Sequence, residues 1–503
     1  MLDNCRKVFG GIINVIGGLI IALLFGANLI RTTTVSYTLE EIVSFNGSFK
    51  YLIFVPIVAI LLWVGMRLYK KINTKVGFLI LTIVYFIAAA YILLNTEPFI
   101  RHDAESVWNA AGSFLQGDFS SAEKNGYIGQ FPFQLGLVTY EMVLRFFCNN
   151  EKILFVANLL EIVVINWFFY RITDKLFHNE TVNKLGILIE FAFLPQFFFI
   201  MFGYGIIPGF CCFTVAIYFC ICLWQDFSAK NAVLMVVFEV LASLLKSNYQ
   251  IGAIAMAIVL VLKVGENRGV KVKNAVISLV MIICAVSAPK LIKIPYNIVS
   301  GIDIGDGTPI TVHIAMGTDL KNEMRAPGWY DGYTTSAYPD AGYDTEVASE
   351  NAKAKIKGNF EAALKKPTKA LSFYWRKVVS TWCDPMFQSV WSGPINGYNG
   401  GHPTQTKLLS SLYSGEKAEK PIALFCKVIV TLILGLSLVF VIINRKKYPA
   451  TMVLYLYLMG GFAFHLFSET KSQYVYMYVF TLIPMAAYEL NAAKDLVLSK
   501  IKK

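Results

Sequence analysis

Residues 76–105 read VGFLILTIVYFIAAAYILLN and then TEPFIRHDAE. The first part carries no charge, and the second sets Arg101, His102, Asp103 and Glu105 directly after it. A helix needs roughly 20 residues to cross a hydrocarbon core of ~30 Å, so the run from Val76 to Asn95 is long enough to span a membrane. Runs of the same kind recur at Val8 to Ile30, Asn274 to Leu291 and Ile422 to Ile443. Of the 503 residues, 56% are hydrophobic and 16% charged, far from soluble norms. A soluble chain of this length would scatter its apolar residues at amphipathic periods; here they come in blocks. The fold class that follows is an all-α polytopic membrane protein.

The formal net charge of +12 does not imply a nucleic-acid partner, because of where the charges fall. Lys and Arg gather in short loops: Arg67, Lys70, Lys71 and Lys75; Lys263, Arg268, Lys271 and Lys273; Arg445, Lys446 and Lys447; Lys494, Lys500, Lys502 and Lys503. That is the positive-inside pattern, which orients helices. Arg6 and Lys7 precede the first apolar run with no small-residue cleavage site, so this segment reads as a signal anchor.

About 12 transmembrane helices satisfy both the apolar runs and the charge rule. They lie near 8–30, 50–67, 76–95, 153–170, 185–202, 208–225, 231–246, 248–263, 274–292, 421–443, 450–467 and 473–489. The chain divides into an N-terminal helix pair (1–75), a seven-helix membrane module (76–292) with an outer loop (96–152), a mixed extracytoplasmic domain (293–420) and a C-terminal three-helix membrane segment (421–503). Residues 132–148 are apolar enough to cross but contain Gln134, Glu141 and Arg145. They read as a helix lying along the outer interface. Residues 231–263 read as two short helices turning at Lys246-Ser247-Asn248, since one long helix would leave Lys246 deep in lipid. Within 293–420 an amphipathic helix is expected over roughly 346–366, ending before Pro367. The nine cysteines lie mostly in apolar runs, and no spacing suits zinc, so no metal site is expected.

Asp103, just past a membrane helix, suits a general base, and Arg101 and His102 could keep it ionised or meet a phosphate. The competing reading makes Asp103 an ordinary N-cap. Asp103 and Glu105 are two apart and would not share a helix face. Lys246, Lys471 and Arg101 are candidate anion-binding cations, against a reading in which long stems simply snorkel. Tyr249, Tyr474, Trp329 and Tyr330 could stack on sugar faces or donate hydroxyls, against an interfacial aromatic belt. Asp303 and Asp306, in GIDIGDGTP, read as a turn, and His313 and His465 as structural or interfacial.

The stretch RHDAESVWNAAGSFLQGDFSSAEKNGYIGQFPFQLGLVTYE, 101–141, resembles the first outer loop of the C-superfamily of membrane glycosyltransferases. That group includes the protein O-mannosyltransferases, the lipid A aminoarabinose transferases and many Gram-positive relatives. Asp103, then Trp108 and Ala111, then Phe131-Pro132-Phe133-Gln134-Leu135-Gly136 follow its pattern, with Ala104 where many members have a second acidic residue. FGYGIIPGFCCFTVAIYFC (202–220), LLKSNYQI (244–251) and SETKSQYVY (468–476) resemble later segments, with Ile206 and Gln473 as departures.

The resemblance implies a bacterial plasma-membrane enzyme that transfers a sugar from a polyprenyl phosphate to an outer acceptor: a cell-wall polymer, a lipid-linked glycan or a protein. Asp103 would be the catalytic base. Arg101, His102, Glu105, Lys246, Asn248, Tyr249, Lys471, Tyr474, Trp329 and Tyr330 would bind substrate. No soluble cofactor is implied, because the lipid carries the sugar. The alternative from another class is a polytopic transporter or lipid flippase.

Overall fold

The structure is a computed structural model that describes residues 2–501, except Leu39, Glu266 and 396–400. The side chains of Leu2, Leu52 and 494–501 also lie outside the description, so the expected basic cluster of Lys494, Lys500, Lys502 and Lys503 does too. The chain is 74% helical with almost no sheet.

α1 (Leu2–Ile30) leads into a hairpin of β1 (Arg31–Val35) and β2 (Val43–Gly47), with Arg31 opposite Gly47 and Val35 opposite Val43. The β-branched run Thr32-Thr33-Thr34-Val35 favours extended pairing over continued helix. α2 (Phe49–Leu52), α3 (Val55–Tyr69) and α4 (Thr74–Leu94) follow. The loop after α4 holds α5 (Asp103–Leu115), α6 (Tyr127–Gln130) and α7 (Leu135–Phe147). At 13 residues, α7 is ~20 Å long and falls short of a bilayer.

The next block is α8 (Lys152–Phe177), α9 (Glu180–Ala192), α10 (Leu194–Phe198), α11 (Ile206–Gln225), α12 (Ala229–Leu245), α13 (Gln250–Leu262) and α14 (Arg268–Leu291). Region 293–420 carries α15 (Lys293–Ser300), α16 (Ile310–Gly317), α17 (Tyr333–Asp340), α18 (Thr345–Lys365), α19 (Pro367–Trp382) and α20 (Lys407–Tyr413). Where a mixed region was expected, the regular elements among its described residues are helices joined by long loops, with one isolated bridge, Thr404 to Thr96. The helix expected at 346–366 is α18, capped by the Asp344 carboxylate and stopped where Pro367 disfavours helical geometry at Lys366. The chain closes with α21 (Glu419–Ile443), α22 (Met452–Phe467), α23 (Tyr476–Phe480) and α24 (Ile483–Ile501).

Among the described residues eight helical stretches are long and apolar enough to cross a membrane: Asp3–Ile30, Phe49–Tyr69, Thr74–Leu94, Lys152–Phe177, Ile206–Gln225, Arg268–Ser300, Glu419–Ile443 and Pro449–Phe467. A ninth would be α9 with the helical run through Met201, bent by 49°. The segment 473–489 is not one helix. It breaks at Thr481-Leu482, where Pro484 offers no N–H to continue the ladder from α23. α12 and α13 are two separate helices that pack against each other, so the chain folds back at Lys246.

One apolar core joins all four sequence segments, from Ile21 in α1 through α8–α14 to Ala487. Phe169 meets Phe480 edge-on at 4.9 Å, and Asn28 donates to the Trp382 carbonyl at 3.0 Å. The turn at Lys246 is gripped by two glycines. A Cβ at Gly136, where α7 begins, would sit 2.1 Å from the Leu244 carbonyl oxygen, and one at Gly205, before α11, 2.1 Å from that of Leu245. Gly136→Ala and Gly205→Ala should each cost ~1–3 kcal/mol by forcing backbone apart. Gly26→Ala, where a Cβ meets nothing within 4 Å, should be neutral or better. Thermal unfolding of the three variants in detergent checks this, and equal midpoints would refute the close approach.

Candidate active site

The Lys246 turn, the start of α5 and the segment between α22 and α23 converge on one cavity of about 1050 Å³. Asp103 enters it as the first residue of α5. His102 before it holds a left-handed backbone (φ 55°) and occupies the N-cap position without a side-chain capping bond. Asp103 is therefore not the N-cap. Its carboxylate stands in the first turn, where the positive end of the helix dipole favours an anion.

The surroundings of Asp103 pull in opposite directions. Burial raises its pKa above the ordinary carboxylate value; Lys471 opposes this, Glu469 adds to it, and the Tyr127 hydroxyl and Lys246 lower it again. The outcome is a carboxylate more basic than usual, reached by solvent through the cavity. His102 is held below the usual imidazole value by burial and by the Arg101 charge, so it is neutral near pH 7.

Two kinds of cation line the cavity. Lys471 is paired: its ammonium lies 2.7 Å from Glu41, which Arg325 also meets at 2.6 Å. Burial pushes the Glu41 pKa up, but Lys471 and Arg325 outweigh it and hold the carboxyl below its ordinary range. Lys246 forms no ion pair among the described residues. Its ammonium stands 4.4 Å from the centre of the Tyr204 ring and 5.2 Å from that of Tyr474. Such a cation, open to a cavity and facing aromatic rings, is prepared for an anionic ligand. Glu469 accepts from His313 Nδ1 at 3.1 Å on the same wall.

The other candidates divide clearly. Asn248, Tyr330 and Tyr474 line the cavity with Asp103, His102, Lys246 and Lys471. Arg101 also borders it, but its guanidinium donates to the carbonyls of Gly393 (2.7 Å) and Trp391 and lies over the Trp391 and Phe99 rings. Glu105 does not line the cavity; it is exposed on α5. Tyr249 is buried with its hydroxyl on the Ile206 carbonyl, and Trp329 is buried with its indole N–H on Ser380.

Sequence reasoning missed Glu41, Glu469, Tyr127, Tyr204 and Arg325, which also line the cavity. Glu469 stood inside the quoted SETKSQYVY stretch, but Glu41 follows Glu40 in a short connection with no motif around it. Asp306, read as a turn residue, is ion-paired with Lys293 at 2.6 Å. No group of three or more His, Cys, Asp or Glu side chains is placed to hold a metal ion among the described residues. Neither a protein-family model nor a curated protein matches the chain.

The two carboxylates should respond to neutralisation in opposite ways. Glu41→Gln leaves Lys471 and Arg325 facing no anion and should cost about 3 kcal/mol at pH 7. Because the folded Glu41 pKa is depressed, its contribution is complete above the ordinary Glu value and fades as pH falls through the folded one. Asp103 has a raised pKa, so its charge is a liability that grows as pH rises, and Asp103→Asn should melt higher than wild type at pH 7. Thermal unfolding from pH 4 to 8 tests both signs.

Proposed function

We propose that this chain is a membrane glycosyltransferase that moves a sugar from a polyprenyl-phosphate donor to an extracytoplasmic cell-envelope acceptor. The observation that carries the reading is the gathering of Asp103, Lys246 and Lys471 in one cavity of about 1050 Å³. In the reaction, an acceptor hydroxyl oxygen attacks the anomeric carbon and gives its proton to Asp103. The bond from that carbon to the phosphate oxygen breaks, and the lipid phosphate leaves with the electron pair. Lys246 and Lys471 offset the charge that develops on it. A single displacement inverts the anomeric centre. The acceptor is a wall polymer, a lipid-linked glycan or a protein.

Placement in a bacterial plasma membrane, with about 12 crossings and the cavity outside, belongs to the same proposal. Its support is the clustering of basic loops away from the cavity. Asp3 near the N-terminus pairs with Lys271 at 2.9 Å, Arg6 donates to the Lys263 carbonyl, and Lys263 lies over the Trp224 ring. Trp224, Lys263 and Lys271 sit at the ends of α11, α13 and α14 away from the Lys246 turn, and Asp3 and Arg6 at the start of α1 meet them there. By the positive-inside rule that end is cytoplasmic, and segments 96–152 and 293–420 face outward.

A transporter is the second reading, favoured by Glu190 in α9 and Glu239 in α12, carboxylates fully buried in apolar helices. Purified protein in lipid, given a polyprenyl-phosphate sugar and acceptor, separates the two. Asp103→Asn should lower transfer by about 10²–10⁴-fold with the fold retained. The acid limb of the wild-type profile should lie above the ordinary Asp pKa, since the base must be deprotonated. Transfer unchanged in the variant would remove Asp103 from the chemistry; solute uptake without any transfer would favour the transporter.

A further inference from the structure

The elbow between α18 and α19 carries more apolar surface than its own core uses. Ala363, Ala370, Phe373 and Tyr374 pack around Leu320. Leu364, by contrast, is 82% exposed and Leu371 74%. Phe360, one turn before Leu364 on the same face of α18, is open as well, and its ring lies 6.5 Å from that of Phe467. Tyr374 of α19 approaches the same ring at 6.3 Å. Phe467 ends α22, a helix long and apolar enough to cross a membrane, and is itself exposed. The outward face of α22 therefore does not stop at the helix end but continues onto the elbow.

Lysines flank this strip. Lys357, Lys365, Lys366 and Lys369 are exposed and form no ion pair among the described residues, and Glu361 is the one acidic residue between 357 and 369. We propose that the α18–α19 elbow docks on an anionic lipid surface, with Phe360, Leu364 and Leu371 among the upper acyl chains and the lysines on headgroup phosphates. Apolar anchors ringed by lysine suit the boundary between acyl chains and anionic headgroups. Lysine is depleted at protein–protein interfaces, and the strip prolongs a membrane-type helix, so lipid is the better occupant. Contact there would hold region 293–420, with His313 and Tyr330, against the bilayer above the cavity. The inference needs the chain to span a membrane but not the sugar-transfer chemistry.

The test uses the full chain in nanodiscs, with exposed Cys5 and Cys148 changed to Ser. An environment-sensitive fluorophore is attached through Leu364→Cys, or through Ser336→Cys as an exposed control on α17. Shallow spin-labelled lipids in phosphatidylglycerol-rich discs should quench the label at 364 several-fold more than the one at 336. The triple change Lys365→Glu, Lys366→Glu and Lys369→Glu should at least halve that quenching. Equal quenching at the two positions, or quenching that charge reversal leaves unchanged, overturns the proposal. Cross-linking of two chains through position 364 without lipid quenching would assign the strip to a second copy and overturn it as well. A chain with Asp103→Asn, inactive in transfer, should be quenched as fully as one that keeps Asp103, which separates this inference from the catalytic reading.

Discussion

Glu41 comes from the first connection of the chain, Arg325 from the middle and Lys471 from the turn between α22 and α23, and the three meet at 2.6 and 2.7 Å beside the cavity. Glu41 is almost wholly buried. A buried carboxylate is tolerable only when cations approach it closely, so this contact fixes how the β-hairpin, region 293–420 and the 468–474 segment stand to one another. Lys471 in turn is the largest charge lowering the Asp103 pKa. The ionisation of the candidate base thus depends on a residue more than sixty positions earlier, in a different structural element.

The same economy explains why some cations are structural and others are open. Lys377 is buried, with its ammonium on the carbonyls of Gly317 (2.5 Å) and Ser468 (2.8 Å). Lys427 donates to Asn28 at 2.7 Å and to the Arg31 carbonyl at 2.8 Å. Arg101 spends its guanidinium on Trp391 and Gly393. These side chains stitch segments together through backbone oxygens. Lys246 has only aromatic faces beneath it and the cavity before it. Among the cations singled out in the sequence, it is the one with no carboxylate or carbonyl partner among the described residues.

Local signals were sound where local physics decides. The uncharged run after Val76 became α4, Pro367 ended α18, and Lys246 forced a turn because a cation in mid-bilayer is costly. They failed where the decisive partner lies far along the chain. The stretch 473–489 looked like one span, yet Pro484 splits it. Tyr249 and Trp329 looked like sugar-stacking residues, but partners in α11 and α19 draw them into the core. The strand pair at 31–47 was passed over because a short Thr run between apolar helices carries little signal by itself.

The sequence by itself determined the class of molecule: long apolar helices, basic loops and an acidic residue just past a helix follow from composition and order along the chain. Which of those polar residues share a site was decided only in three dimensions. Asp103, Lys246 and Lys471 are separated by more than a hundred residues at each step, and Glu41 by sixty more. Their meeting depends on helix packing, on the close backbone approaches at Gly136 and Gly205, and on the need to pair every buried charge. No local propensity encodes these long-range terms.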